Sequence, residues 1–429
     1  MSSKIKQALP ELVENGIITE EIAQNIKAFY QKDEASGTSR LFTVFGILGA
    51  TLIGLGIILI MAHNWDNFSR LTKVFFAFLP MLIGQVGLGF SIYKNKSNTW
   101  KETATVFLFF SVGACISLIS QIYNIPGNLE SFLLAWIVLC LPLLYVTKSK
   151  SAIILHLIFM TYYAFEAGYR FYGHTTTIPH TYFLLLLFPL FNYFKMMRQN
   201  VKSPTLYILH WLFPLSLIIS LPVCIDASEG VGFLMYILVF GILYNIGQLS
   251  YFKNNSLLQN GYRFLGSLGT VIVLLILSFR YIWKHEFNDV HFYSLEFFCA
   301  VVLFCIACIT LYTSIKSKQE KGVNLFQYVF LIFTIIFMLG LFDDVMPTVL
   351  INILLFILGV MAIKIGADSF SFGILNYGML IITVLIACRF FDTNMSFAIR
   401  GLLFVAIGAG FFTANYIMLK KQKSKQLKQ

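Results

Sequence analysis

The chain has 429 residues, of which 58% are apolar and only 12% charged, with a formal net charge of +11. A soluble domain carries about 25% charged residues, so an ordinary soluble enzyme is excluded. The positive charge lies between apolar runs and in the tail Lys420-Lys421-Gln422-Lys423-Ser424-Lys425. No basic stripe interleaved with stacking aromatics accompanies it. That distribution suits anionic lipid headgroups and excludes nucleic acid as a partner.

Residues 1–40 read as a small cytoplasmic helical hairpin and linker. Ile5, Leu9, Leu12 and Val13 fall at helical spacing. Asn15-Gly16 is a helix stop, Thr19 a second N-cap, and Ile22, Ile26 and Phe29 a second apolar stripe. These residues lack an apolar signal-peptide core, so the first span is expected to serve as the insertion signal.

That span is Thr43 to Ala62, twenty uncharged residues. At about 1.5 Å per residue it crosses a hydrocarbon core of roughly 30 Å. Thirteen further apolar segments follow, near 72–92, 103–122, 130–147, 152–171, 179–195, 204–222, 231–250, 263–283, 294–315, 323–342, 347–364, 370–389 and 397–418. With the N-terminus in the cytoplasm, alternation leaves only Arg70, Lys73, Arg170, Arg280, Lys284, Arg389 and Arg400 on the outer side, out of 31 Lys and Arg in all. The positive-inside rule therefore supports fourteen spans with both termini cytoplasmic.

Small residues recur at helix-packing spacing in the first span (Gly46, Ala50, Gly54) and the last (Ala406, Gly410, Ala414). Pro80, Pro142, Pro189, Pro214 and Pro347 lie within or beside spans, where they kink helices or expose carbonyls to a substrate. Gln85, Asn245, Gln248, Asn352 and Asn376 are amides that lipid cannot satisfy, so they face protein, water or ligand. Gly266–Tyr281 loosely echoes Gly373–Phe390, each ending in Arg-aromatic.

The outer basic residues are mostly arginine, whose planar fork grips carboxylate or phosphate with two hydrogen bonds. Glu166 and Arg170 form an i,i+4 ion pair, while Arg389, Asp392 and Arg400 bracket the last outer turn. One reading is that ion pairs close the outer face. The other is an anion or headgroup site built from Arg70, Arg280, Arg389, Asp392 and Arg400, with His63 and Asp66 at the same depth beside the interfacial Trp65. The chain contains no P-loop, H-E-x-x-H or G-x-S-x-G sequence, and its seven histidines lack metal-ligand spacing. Cys305-x-x-Cys308 sits in an apolar run without a second pair, so it reads as small packing residues. No catalytic residue, metal or cofactor is assigned.

Several stretches resemble bacterial predicted membrane proteins of domain-of-unknown-function family 2157. They are Val13-Glu14-Asn15-Gly16-Ile17-Ile18, a glycine-rich first span running into Ala62-His63-Asn64-Trp65-Asp66, and Gln121-Ile122-Tyr123-Asn124-Ile125-Pro126-Gly127 followed by Trp136 and Pro142. The first 150 residues carry most of the likeness, and Arg389-Phe390-Phe391-Asp392 with Arg400-Gly401 is similar to the family's end. The resemblance implies a multi-spanning protein of the bacterial cytoplasmic membrane and implies no activity.

The expected fold is all-α: a polytopic integral membrane bundle of about 14 helices over 41–419, preceded by the hairpin at 1–40 and followed by a basic tail at 420–429. The leading functional expectation is a transporter or flippase-like permease for an anionic small molecule or lipid-linked group. The alternatives are a scaffold or sensor that recruits a cytoplasmic protein through residues 1–40, and a membrane enzyme acting on envelope precursors.

Overall fold

A computed structural model describes residues 9–10, 12–24, 65–168, 181–199, 203–224, 229–252, 255–287, 290, 292–317, 324–392 and, discontinuously, parts of 401–420. It divides into two compact units, Met1–Leu79 and Pro80–Gln429. Among the described residues, regular structure is helical throughout.

In the first unit, the predicted helix stop and cap are in place. Gly16 adopts φ 66°, a conformation that costs glycine nothing. The Thr19 hydroxyl accepts the Ile22 amide at 3.4 Å. The expected arm beyond Gln24, and the span at 43–62, lie outside the described residues. Trp65–Asn67 forms a short 3-10 turn, and Lys73 stands 5.7 Å above the Trp65 ring.

The principal helices are α1 (Arg70–Tyr93), α2 (Asn98–Tyr123), α3 (Leu129–Val146), α4 (Lys150–Gly168), α5 (Thr181–Gln199), α6 (Pro204–Ser220), α7 (Glu229–Ile246), α8 (Gly261–Leu277), α9 (Arg280–Glu286), α10 (Leu295–Ser317), α11 (Val329–Gly340), α12 (Val345–Asp368) and α13 (Phe372–Asp392). Expected segments two to thirteen fall on these helices, each on one except 263–283, which covers α8 and α9. Seven helices, α1–α4, α10, α12 and α13, are long and apolar enough to cross a membrane, or eight spans if α8 and α9 form one. α6, α7 and α11 are shorter apolar helices. These seven or eight spans are counted among the described residues, and the expected first span and much of the expected fourteenth lie outside them.

The polar stretch Gln121–Asn128 is a helix-to-helix connection. Asn124 ends α2 in the left-handed region, φ 51°, and the Ile125 amide returns to the Ser120 carbonyl at 2.9 Å. Four residues later, the Asn128 side chain caps α3 by accepting the Ser131 amide at 2.9 Å. At the other end of α2, the Glu102 carboxylate accepts the amides of Lys150 and Ser151, at 2.9 and 3.0 Å, and the Ser149 hydroxyl. A neighbouring helix thereby caps the start of α4 and places negative charge at its positive end.

One expectation is corrected. Pro80, Pro142, Pro189 and Pro214 all lie inside helices that continue past them. The break falls instead within the expected continuous segment 263–283, where α8 and α9 meet at 82° without a proline. Close helix packing is also found at positions not singled out above; of the six that were, only Gly410 lies where its surroundings are described. A Cβ at Gly359 would stand 2.6 Å from Ile382, and one at Gly378 would stand 2.6 Å from the Gly359 carbonyl oxygen. These glycines let α12 and α13 lie against each other as a tight antiparallel pair. At Gly410, by contrast, the nearest neighbour is Met379 at 3.9 Å, an ordinary contact.

Buried amides knit the centre together. The Asn245 amide group donates to the carbonyls of Gly241 and Gln327, and the Gln327 amide group donates to Asn245 Oδ1 and the Ser314 hydroxyl. This is the helix-to-helix bonding that apolar surroundings demand.

Candidate functional site at a helix break

A helix that stops inside an apolar bundle leaves carbonyls that need donors. The break between α8 and α9 shows where they are found. The Trp283 indole donates to the Leu277 carbonyl at 2.7 Å, folding α9 back over the end of α8. The Asn352 amide of α12 donates to the Ser278 carbonyl at 3.1 Å and to the Thr348 carbonyl of its own helix at 2.7 Å. Two carbonyl acceptors fix the amide's orientation, because the flipped amide would set oxygen against oxygen. Asn352 Oδ1 is thereby left buried, with no hydrogen-bond partner among the described residues.

Arg389, in the last turn of α13, reaches the same break. Its guanidinium donates to the Ser278 hydroxyl at 3.0 Å and lies 4.8 Å from the centre of the Phe279 ring. The Ser278 hydroxyl in turn donates to the Leu275 carbonyl at 2.7 Å. A hydroxyl and a ring face are thus among the groups that hold this cation. A pocket of about 460 Å³ opens beside it, lined by Thr348, Val349, Asn352, Ile353, Phe356 and Arg389.

The next residue along the break, Arg280, makes a two-bond pair with Asp344, Nε to Oδ2 at 2.9 Å and a terminal nitrogen to Oδ1 at 3.0 Å. The guanidinium beside Asp344 holds its carboxyl below the ordinary carboxylate value. Asp343 accepts the amides of Val345 and Met346, and the Thr348 hydroxyl donates to the Asp344 carbonyl at 2.7 Å. A continuous polar chain therefore runs from the exposed ion pair through Thr348 and Asn352 to Ser278 and Arg389.

Of the residues singled out in the sequence, Arg280 and Arg389 meet at this break. Arg70 and Asp66 lie in the first unit, both exposed. His63, Arg170 and Arg400 lie outside the described residues, and so does the expected Glu166–Arg170 pair. Glu166 itself is half-buried in α4, and Asp392 is the last residue of α13, with its side chain not described. Sequence reasoning missed Ser278 and Thr348; Asn352, expected to face protein, water or ligand, bonds across to the Ser278 carbonyl. The available signal was polar residues spaced along apolar runs next to an arginine. Among the described residues, no group of three His, Cys, Asp or Glu is placed to hold a metal.

Comparison with known proteins locates the resemblance. Residues 10–153 match the family model described as a predicted membrane protein, DUF2157. Over that stretch the chain is similar to the DUF2157 family. No curated protein and no solved structure matches the chain. The matched stretch contains the Asn124 turn and the Glu102 cap, whereas every residue of the Arg389 pocket lies C-terminal to it. Together with the candidate spans, the match makes the chain a multi-pass membrane protein.

Proposed function

We propose that the protein is a permease, transporter or flippase-like, whose substrate is an anionic small molecule or lipid-linked group held at Arg389. One observation carries this reading: a half-buried arginine and an amide-bearing helix, both hydrogen-bonded to a non-proline helix break, line one pocket. Interrupted helices with their carbonyls and helix ends turned to a cavity are how membrane transporters build substrate sites. With fourteen spans and cytoplasmic termini, the positive-inside rule puts this break at the outer face of the cytoplasmic membrane.

The test is flux. The full chain is reconstituted in vesicles and followed with a labelled anionic lipid, through loss of label accessibility, and with a labelled sugar phosphate, through efflux. The expected result is movement of at least one of them above protein-free vesicles, returning to background in Arg389→Gln. Equal rates with and without protein for every anionic probe would overturn it.

A further inference from the structure

The shape of the pocket states more than its charge. Its lining runs along one stripe of α12, with Thr348, Asn352 and Phe356 four residues apart and Val349 and Ile353 beside them. Positions four apart share a helix face, so the stripe descends about 12 Å from end to end. Polarity changes along it. Thr348, Asn352 and, across from them, Arg389 gather at the end where α12 begins and α13 finishes. Ile353 and Phe356 form the other end, and with Val349 they are about half exposed, at 51%, 51% and 47%. Apolar side chains exposed on a candidate span face lipid. The pocket therefore opens sideways into the bilayer, with its polar end toward the interface and its apolar end toward the midplane.

A water-soluble anion has no use for the apolar half, and a neutral lipid tail has none for the guanidinium. From this geometry we propose that the ligand of the Arg389 pocket is a membrane phospholipid with a net anionic phosphodiester head. It enters laterally from the leaflet that meets the α8–α9 break. Its phosphate binds the Arg389 guanidinium, which lies near a helix end at headgroup depth, and its chain lies along Val349, Ile353 and Phe356. The proposal rests on reading the Arg389 pocket as a binding site and does not require that the ligand be moved.

The test titrates the detergent-purified full chain with dioleoyl phosphatidylglycerol, dioleoyl phosphatidylcholine or glycerol 3-phosphate and follows the unfolding temperature, which rises with any ligand bound to the folded state. Two variants accompany it. Arg389→Gln removes the charge. Ile353→Trp fills the apolar half at a lipid-facing position and leaves the arginine and the core intact. The expected result is stabilisation of wild type by phosphatidylglycerol alone. Apparent affinity falls roughly tenfold to a hundredfold in Arg389→Gln, the range for loss of a charge-assisted hydrogen bond, and falls likewise in Ile353→Trp while its unliganded stability holds. Equal stabilisation by glycerol 3-phosphate would make this an aqueous anion site. Equal stabilisation by phosphatidylcholine would make the effect unspecific lipid solvation. Unchanged stabilisation of Ile353→Trp would place the lipid elsewhere. Each of these overturns the proposal. Selective lipid binding without flux in vesicles would remove the permease reading and leave this one standing; sugar-phosphate flux without lipid binding would do the reverse.

Discussion

Arg389 donates a 3.0 Å hydrogen bond to the hydroxyl of Ser278, 111 residues earlier in the chain. That contact ties the end of α13 to the break where, between α8 and α9, the chain turns through 82°. It also makes the stability of the break measurable residue by residue.

Asn352→Leu removes both amide bonds and leaves the Ser278 carbonyl without its donor. The expected loss is about 1–3 kcal/mol, the cost of stranding a buried acceptor. It is read as earlier unfolding of the purified protein. Asn352→Gln, which keeps the amide on a longer stem, tests whether reach matters: a full loss there says that the 3.1 Å geometry, and not merely an amide, supports the break.

Trp283→Phe keeps an aromatic ring in the buried site and deletes only the donor to Leu277. A destabilisation of about 1–3 kcal/mol is expected. Gly340→Ala attacks the same ring from the other side, since a Cβ there would collide with the Trp283 indole. Overpacking of this kind costs about 1–3 kcal/mol. If the two variants lose stability additively in the double mutant, the indole is not the shared element.

The Arg280–Asp344 pair gives a pH signature. Its carboxyl titrates below the unfolded value of about 3.9, so its contribution is complete at neutral pH and is lost only as pH falls through the lower folded value. Unfolding temperature measured from pH 7 down to pH 3 should therefore decline less steeply in Asp344→Asn than in wild type. The difference should also shrink in high salt, because the pair is solvent-exposed. Parallel declines at low salt would show that the pair adds nothing.

Glu102→Ala uncaps α4 from a neighbouring helix. Loss of an N-cap costs about 0.5–2 kcal/mol, and the backbone amides of Lys150 and Ser151 should then exchange faster in deuterium. Unchanged exchange at those two amides would show that water replaces the carboxylate without penalty.

Much of the fold was legible because lipid leaves few options. A chain this apolar must satisfy its backbone internally, and hydropathy with loop charge therefore located segments two to thirteen. The helix stop at Gly16 was readable from local chemistry alone. What escaped was tertiary. The α8–α9 break has no proline to announce it; it exists because Trp283 and Asn352, 6 and 74 residues from the carbonyls they bind, supply the missing donors. The glycines that bring α12 against α13 carry no local signal, since spacing within one helix does not say which face finds a partner. Arg280 and Arg389 were both visible as arginines near span ends, but nothing in either segment alone says that they converge.

The break has a consequence for the membrane itself. Stopping at Leu277 leaves α8 with 17 residues, and its neighbours α6 and α7 have 17 and 18. At about 1.5 Å per residue such helices reach roughly 26 Å, against a hydrocarbon thickness of about 30 Å. Hydrophobic mismatch of that size must be absorbed by local thinning of the bilayer or by flanking side chains stretching to the interface. Of the three, α7 is buried almost throughout, so lipid would meet this mismatch along the exposed positions of α6 and α8, such as Ile208, Leu215 and Ile272.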